Sequence, residues 1–313
     1  GLPAVAPAVI HFIWRPSVKK IVILLLLLEV FLPGYAGPAH VDSVQIRTKA
    51  PANRIVTVHF RVPKDYDPKR IEQYRVLVLF GGRNTDGKAD VTGRLGWGEW
   101  ADQLGIFLVC PGFKDDNYWE PREWSGKALL SALAEIRKRY HICTGQLLFY
   151  GYSAGSQCAN LFPAWKPDLA CAWVAHACGV FHEPGGRMRK IPGLVTCGDA
   201  DVTRYLISRN FVGKARKLGT PVIWKSYPNS PHDVPPDSLR LARAFLAYYH
   251  EQNRKDLDLQ YRLPSIVEKS FIGDDLDETY YPAESVKAGT ILPEDRVFLP
   301  NRSIAEAWGK PAK

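Results

Sequence analysis

The sequence predicts an α/β domain: a mostly parallel sheet with helices packed on both faces. Three observations carry that expectation. Short apolar runs recur along the chain, as in Tyr74 to Phe80 (YRVLVLF) and Ile106 to Cys110 (IFLVC), and such unbroken runs suit strands buried on both faces. Between them lie stretches with apolar residues at i, i+3 and i+4 spacing, the period of a helix with one buried face. Gly or Pro then closes many of the runs, as at Gly81-Gly82 and Pro111-Gly112.

The elements follow in order. Ile55 to Val62 (IVTVHFRV) alternates apolar and polar residues, as a half-buried strand does. The Tyr74–Phe80 strand comes next, then a short helix over Trp97 to Leu104 and the strand Ile106 to Cys110. From Ser125 to Tyr140, Ala128, Leu129, Ala132, Leu133 and Ile136 mark one helix face. Gln146 to Tyr150 is a strand, followed by a glycine-flanked turn and a helix towards Trp165. Ala170 to Ala177, Gly193 to Cys197 and Pro221 to Tyr227 complete the strands. Helices near Thr203–Leu218 and Leu239–His250 complete the layers. Beyond Arg254 the periodicity dissolves. Three regions are therefore expected: 1–36, a domain over 37–253, and an extension over 254–313 packed on that domain.

Composition narrows the function classes. Of 313 residues, 46% are hydrophobic and 23% charged, which excludes a disordered, collagenous or coiled-coil chain. Net charge is +9, but the 41 Lys and Arg are scattered and their densest groups are short, so no nucleic-acid partner is expected. Residues 18–36 read as a signal peptide: Lys19 and Lys20, an apolar run from Ile21 to Leu32 broken only by Glu29, then Pro33-Gly34 and Ala36. Secretion or a periplasmic address follows, with no stable membrane insertion after cleavage. The six cysteines form no C-x-x-C pair and no His spacing beside them suggests a zinc site, so no metal is expected. Cys143 precedes the strand that leads to Gly151 and Cys171 opens the next; in a sheet where those two strands are neighbours, both lie at one edge and could form a bridge.

The chemistry gathers at Gly151-Tyr152-Ser153-Ala154-Gly155. This G-x-S-x-G motif sits between a strand and a helix, where a sharp turn lifts the serine hydroxyl above the sheet. A serine needs a base, and the base needs an orienting carboxylate. His232 follows the last strand, where the base is required. Thr196-Cys197-Gly198-Asp199-Ala200-Asp201 offers two acids; Asp201 is favoured over Asp199, and the other is expected to cap the next helix. His176 and His182 follow an earlier strand and precede the acid, so they suit the base less well. Oxyanion donors are expected from the N–H of Ala154 and from the loop Gly81-Gly82-Arg83-Asn84, with Arg83 first and Gly82 next. The loop FKDDNYWEPREWSG supplies Trp119 and Trp124 as candidate substrate contacts, with Tyr152 and His176 also at the mouth.

At these residues residues 55–253 resemble the α/β-hydrolase superfamily. More narrowly they are similar to secreted esterases of the polyhydroxybutyrate depolymerase and feruloyl esterase type, through the elbow at Ser153, the acid at Gly198–Asp201 and the late His232. The resemblance implies ester hydrolysis through an acyl-enzyme without a cofactor. Those esterases usually carry His-Gly where this chain has Gly81-Gly82, so the oxyanion loop departs from the pattern. A peptidase of the same fold and a non-catalytic binding protein on that scaffold are the alternatives. Between Gly179 and Pro192 there is too little chain for a large lid, so an open cleft is expected, bordered by the tryptophans and by Arg187 and Arg189. Short acyl or aryl esters on a bulky, acidic glycan would suit it.

Overall fold

The computed structural model describes residues 38–49, 52–114, 117–257 and 269–313. The signal-like segment at 18–36 lies outside the described residues, so the expectation of cleavage has no structural counterpart here. Among the described residues no helix is long and apolar enough to cross a membrane.

Eight strands form the main sheet: β1 (His40–Arg47), β2 (Ile55–Val62), β3 (Val76–Phe80), β4 (Phe107–Pro111), β5 (Leu147–Tyr152), β6 (Ala170–His176), β7 (Gly193–Gly198) and β8 (Val222–Tyr227). Their spatial order is β1-β2-β4-β3-β5-β6-β7-β8. β2 runs antiparallel to both of its neighbours, β1 and β4, and β3 to β8 run parallel to one another. The expected parallel sheet is thus present, with an antiparallel hairpin added at one edge.

Alternation along each strand feeds two separate cores. Val76, Val78, Phe80, Phe107, Val109, Leu147 and Phe149 face one side. They meet Leu129, Leu133 and Ile136 of α3 (Gly126–Arg139), Phe162 of α4 (Ala154–Trp165) and Phe211 of α5 (Val202–Lys217). Leu77, Leu79, Leu108, Leu148 and Tyr150 face the other. They meet Val91 of α1 (Lys88–Thr92), Trp97 of α2 (Trp97–Leu104) and Leu241, Phe245 and Leu246 of α6 (Pro236–Leu257). Each such side chain contributes about 1.5–3 kcal/mol by leaving water. The continuous apolar runs in the sequence have this cause: both faces of β3, β4 and β5 are covered.

The C-terminal residues do more than wrap the domain. β9 (Phe271–Asp274), β10 (Thr279–Pro282), β11 (Arg296–Leu299) and β12 (Lys310–Pro311) make a second sheet in the order β11-β9-β10-β12. Two short helices, α7 (Val286–Thr290) and α8 (Arg302–Trp308), accompany it. Its buried side chains, among them Phe271, Tyr280, Leu299, Ile304 and Trp308, join the α6 core instead of forming a separate one. The Trp308 indole N–H donates to the Trp224 carbonyl on the edge strand β8 at 2.6 Å, which satisfies a group that a bare sheet edge would expose.

No disulfide links the six cysteines. Cys143 and Cys171 do open neighbouring parts of the sheet, but their thiols turn to different acceptors. Cys143 donates to the Gly145 carbonyl at 2.9 Å, and Cys171 approaches the Tyr249 carbonyl at 3.7 Å. The expected bridge is corrected accordingly.

Candidate active site

Chain order alone creates a crevice. β4 lies to one side of β3 and β5 to the other, so the connections after β3 and β5 diverge at the carboxyl ends of adjacent strands. Ser153 stands in the β5 connection, directly after the strand. Its φ of 57° and ψ of −124° are sparsely populated for a residue with a side chain, at a cost of about 1–3 kcal/mol. The flanking glycines are steric necessities. A Cβ on Gly155 would collide with the carbonyl oxygens of Phe80 and Gly81, and one on Gly151 with the carbonyl of Gly155. That close packing lays the Gly81-Gly82-Arg83 loop over the start of α4.

Three side chains form one hydrogen-bonded line. The Ser153 hydroxyl lies 2.8 Å from His232 Nε2, and His232 Nδ1 lies 2.6 Å from Asp201 Oδ2. The carboxylate only accepts, so Nδ1 carries the proton and Nε2 is left to accept from the serine. Arg204 donates to the other carboxylate oxygen, Asp201 Oδ1, at 3.1 Å. Asp201 is 8% exposed and His232 is exposed, so the line runs from a shielded acid to an accessible base and hydroxyl.

Asp199 has a different task from the expected helix cap. Its carboxylate accepts the Asn229 N–H at 2.6 Å and so anchors the loop that carries His232. Asp201 itself stands at the N-terminus of α5, without a side-chain bond to the helix backbone.

The oxyanion candidates adjoin the serine. Ala154 opens α4, so its N–H has no intrahelical acceptor. Gly82 lies against the Tyr152 ring, and the Arg83 side chain is exposed without an ion pair among the described residues. Asp90, in the helix that follows this loop, is bound by Arg94, which donates twice to Asp90 Oδ1, at 2.6 and 2.9 Å.

Several expected substrate contacts are corrected. Trp124 is 6% exposed, packs edge-on to Phe113 at 5.3 Å and lies under the Arg54 guanidinium, so it belongs to the core. His176 is 1% exposed and bonded at both ring nitrogens. Burial lowers its pKa to about 4, so it is neutral and out of reach of substrate. Arg187 and Arg189 do not border the cleft. Arg187 pairs with Asp168, which precedes β6, and Arg189 lies near Gly219, which precedes β8; both positions are at the opposite end of the sheet. Tyr152 keeps a place beside the serine, but its hydroxyl donates to the His232 carbonyl at 2.8 Å and its ring stacks on the imidazole at 5.2 Å. Trp119 is partly exposed, edge-on to buried Tyr118 at 5.3 Å. Sequence reasoning passed over Arg204 and the tie from Tyr152; an Arg three residues after the acid on a helix was the one available signal.

Among the described residues no group of three or more His, Cys, Asp or Glu side chains is placed to hold a metal ion.

No family model matches the chain, and no curated protein does. Solved structures do. A thermostable esterase superposes with a TM-score of 0.51 at 21% identity, over 69% of this chain and 62% of that one, so the match spans less than two thirds of that esterase. A ferulic acid esterase gives 0.55 at 16% identity, over 68% of this chain and 98% of the other. A fluorophosphonate-binding serine hydrolase of Staphylococcus aureus gives 0.53 at 12% identity, over 68% and 99%. At such identities the likeness concerns architecture. The eight-stranded sheet, its flanking helices and the strand–Ser153–helix turn together have the α/β-hydrolase fold.

Proposed function

We propose that the protein is a serine esterase that cleaves carboxylic esters through an acyl-enzyme. The observation that carries this reading is the line Ser153–His232–Asp201, with the serine held in a strained turn at the crevice. Ser153 Oγ attacks the ester carbonyl carbon while His232 Nε2 takes its proton. The resulting imidazolium is stabilised by Asp201 through Nδ1–H. Charge on the carbonyl oxygen is accepted by the N–H of Ala154 and by that of Arg83 or Gly82. Collapse breaks the C–O bond to the alcohol, which leaves with the proton from His232. Water, deprotonated by the same imidazole, then attacks the acyl-enzyme; the acid departs and Ser153 regains its proton.

Short acyl or aryl acyl groups fit best. The connection between β6 and β7 holds one short turn, Gly186–Lys190, and no lid-sized helix, which leaves the crevice open. Ferulic acid esterases stand among the proteins of similar fold, which favours an aryl group beside Trp119. The acidic-glycan reading loses its support, because Arg187 and Arg189 lie at the far end of the sheet. An exported protein remains our reading of residues 18–36, tested by sequencing the N-terminus of the mature form.

A fluorophosphonate probe should label the wild-type protein and leave Ser153→Ala unlabelled. With acetyl and feruloyl esters, Ser153→Ala should lose about 10³-fold or more in kcat. Trp119→Ala should raise KM a few-fold with little change in kcat. Labelling that survives in Ser153→Ala would overturn the assignment of the nucleophile. Rates that climb steeply only above the solubility limit of a long-chain ester would overturn the open-cleft reading.

A further inference from the structure

We propose that His176 is a positioning residue that ties the nucleophile to the loop carrying the base; the inference rests on the hydrolase reading above and assigns a further residue to the same site.

The backbone and the side chain of His176 act on different members of the line. His176 ends β6 and pairs with Tyr152 at the end of β5. Its carbonyl accepts the Ser153 N–H at 3.0 Å, which fixes the backbone of the strained serine from the neighbouring strand. The chain then turns through Ala177 at a φ of 53°, in the left-handed region that favours glycine.

On the side-chain side, Nε2 lies 2.7 Å from the carbonyl oxygen of Asp233. A carbonyl has no proton to give, so Nε2 bears the hydrogen and donates. Nδ1, 2.7 Å from Thr196 Oγ1, must then accept from the threonine hydroxyl. Thr196 is itself buried, and its hydroxyl satisfies the ring nitrogen that the donation to Asp233 leaves without a proton. Asp233 directly follows His232, so the bond holds the Asp233–Val234 peptide group, one residue beyond the base. Tyr152 holds the carbonyl of His232 itself, and Ser230 Oγ donates to Asp233 Oδ1 at 2.7 Å. The base is thus fixed by bonds to β5 and β6, the two strands that also fix the serine.

A neutral, dry imidazole is a suitable strut. It offers one donor and one acceptor in fixed directions, and the titratable groups nearest it, Asp233, Asp201 and His232, lie on the loops above it. Displacing a catalytic group by about 1 Å costs on the order of 10²-fold in rate.

The test compares His176→Leu, which removes both bonds, with His176→Gln, which keeps an N–H at the far end, and with Thr196→Val, which removes only the hydroxyl. His176→Leu should lower kcat about 10²-fold with KM within about twofold, and His176→Gln should regain about tenfold of that loss. Thr196→Val should lose a few-fold. Amide exchange over residues 229–235 should quicken in His176→Leu. Should His176→Leu fail to fold, Thr196→Val and His176→Gln still report the same loop. Wild-type kcat in both His176→Leu and Thr196→Val, or unchanged exchange over 229–235, would overturn the proposal. A wild-type protein that takes no fluorophosphonate would overturn the hydrolase reading instead, while loop exchange still decides the role of His176.

Discussion

The crevice edge of the main sheet and the C-terminal sheet are built on opposite terms. At the crevice, each functional element is built locally, from a strand, a turn of a few residues and a helix start, and Ser153 is then tied to His176 and His232. In the C-terminal region, strands of two to four residues have little stability of their own and order by docking on α6 and β8. Asp275, in the turn after β9 with its side chain shielded, accepts from Arg209 at 2.6 Å and Arg216 at 3.2 Å, both on α5, the helix that Asp201 begins. The Lys225–Glu278 pair and Trp308 bind the region to β8. Changes at the crevice should therefore cost activity and leave stability nearly untouched, and changes in the C-terminal region should do the reverse.

The largest separation is expected at the acids. Asp201→Asn should lower kcat about 10³- to 10⁴-fold, because the amide leaves His232 in the wrong tautomer. Asp199→Asn should cost less than about tenfold, since an amide oxygen still accepts the Asn229 N–H. Reversed magnitudes in steady-state kinetics would move the acid to Asp199. Trp308→Ala should then remove about 3–5 kcal/mol of unfolding free energy in denaturant titration, with kcat per folded molecule unchanged. A loss of kcat without loss of stability would erase the contrast between the two regions.

His176 supplies a pH effect of intermediate size. Its pKa falls from 6.5 in the open chain to about 4 when folded, through burial, so between those values the unfolded state binds the extra proton. Stability should fall as pH drops from about 6.5 towards 4, by an order of 3 kcal/mol from this group. His176→Gln should flatten that part of a pH series of melts, and an unaltered slope would count against a neutral buried His176. Asp275→Asn should cost less, about 2 kcal/mol, because Arg209 remains partly solvated. Equal stability of wild type and Asp275→Asn would show that the Arg209 and Arg216 pairs do not hold the two regions together.

Ser153, Asp201 and His232 were legible because chain order and strand ends suffice to place them. The substrate contacts were not. Trp124 sits in an aromatic-rich loop that looks exposed in sequence, yet its indole fills the space between Phe113 and Arg54. Arg187 and Arg189 lie between two strands whose ends are indistinguishable by composition, and the chain had already returned to the far end of the sheet before reaching them.

By itself the sequence determined the layer order, the position of the Ser153 turn and the order of the three hydrogen-bonded residues. Those depend on period, on glycine flanks and on loop length, all of which act within a few residues. Only the tertiary structure decided that His176 is a buried strut, that Asp199 anchors a loop, and that the last forty-odd residues close the β8 edge as a second sheet. Each of these rests on contacts between residues tens to a hundred positions apart, such as Trp308 with Trp224 and His176 with Asp233, and no local pattern encodes which distant partner a buried polar group will meet.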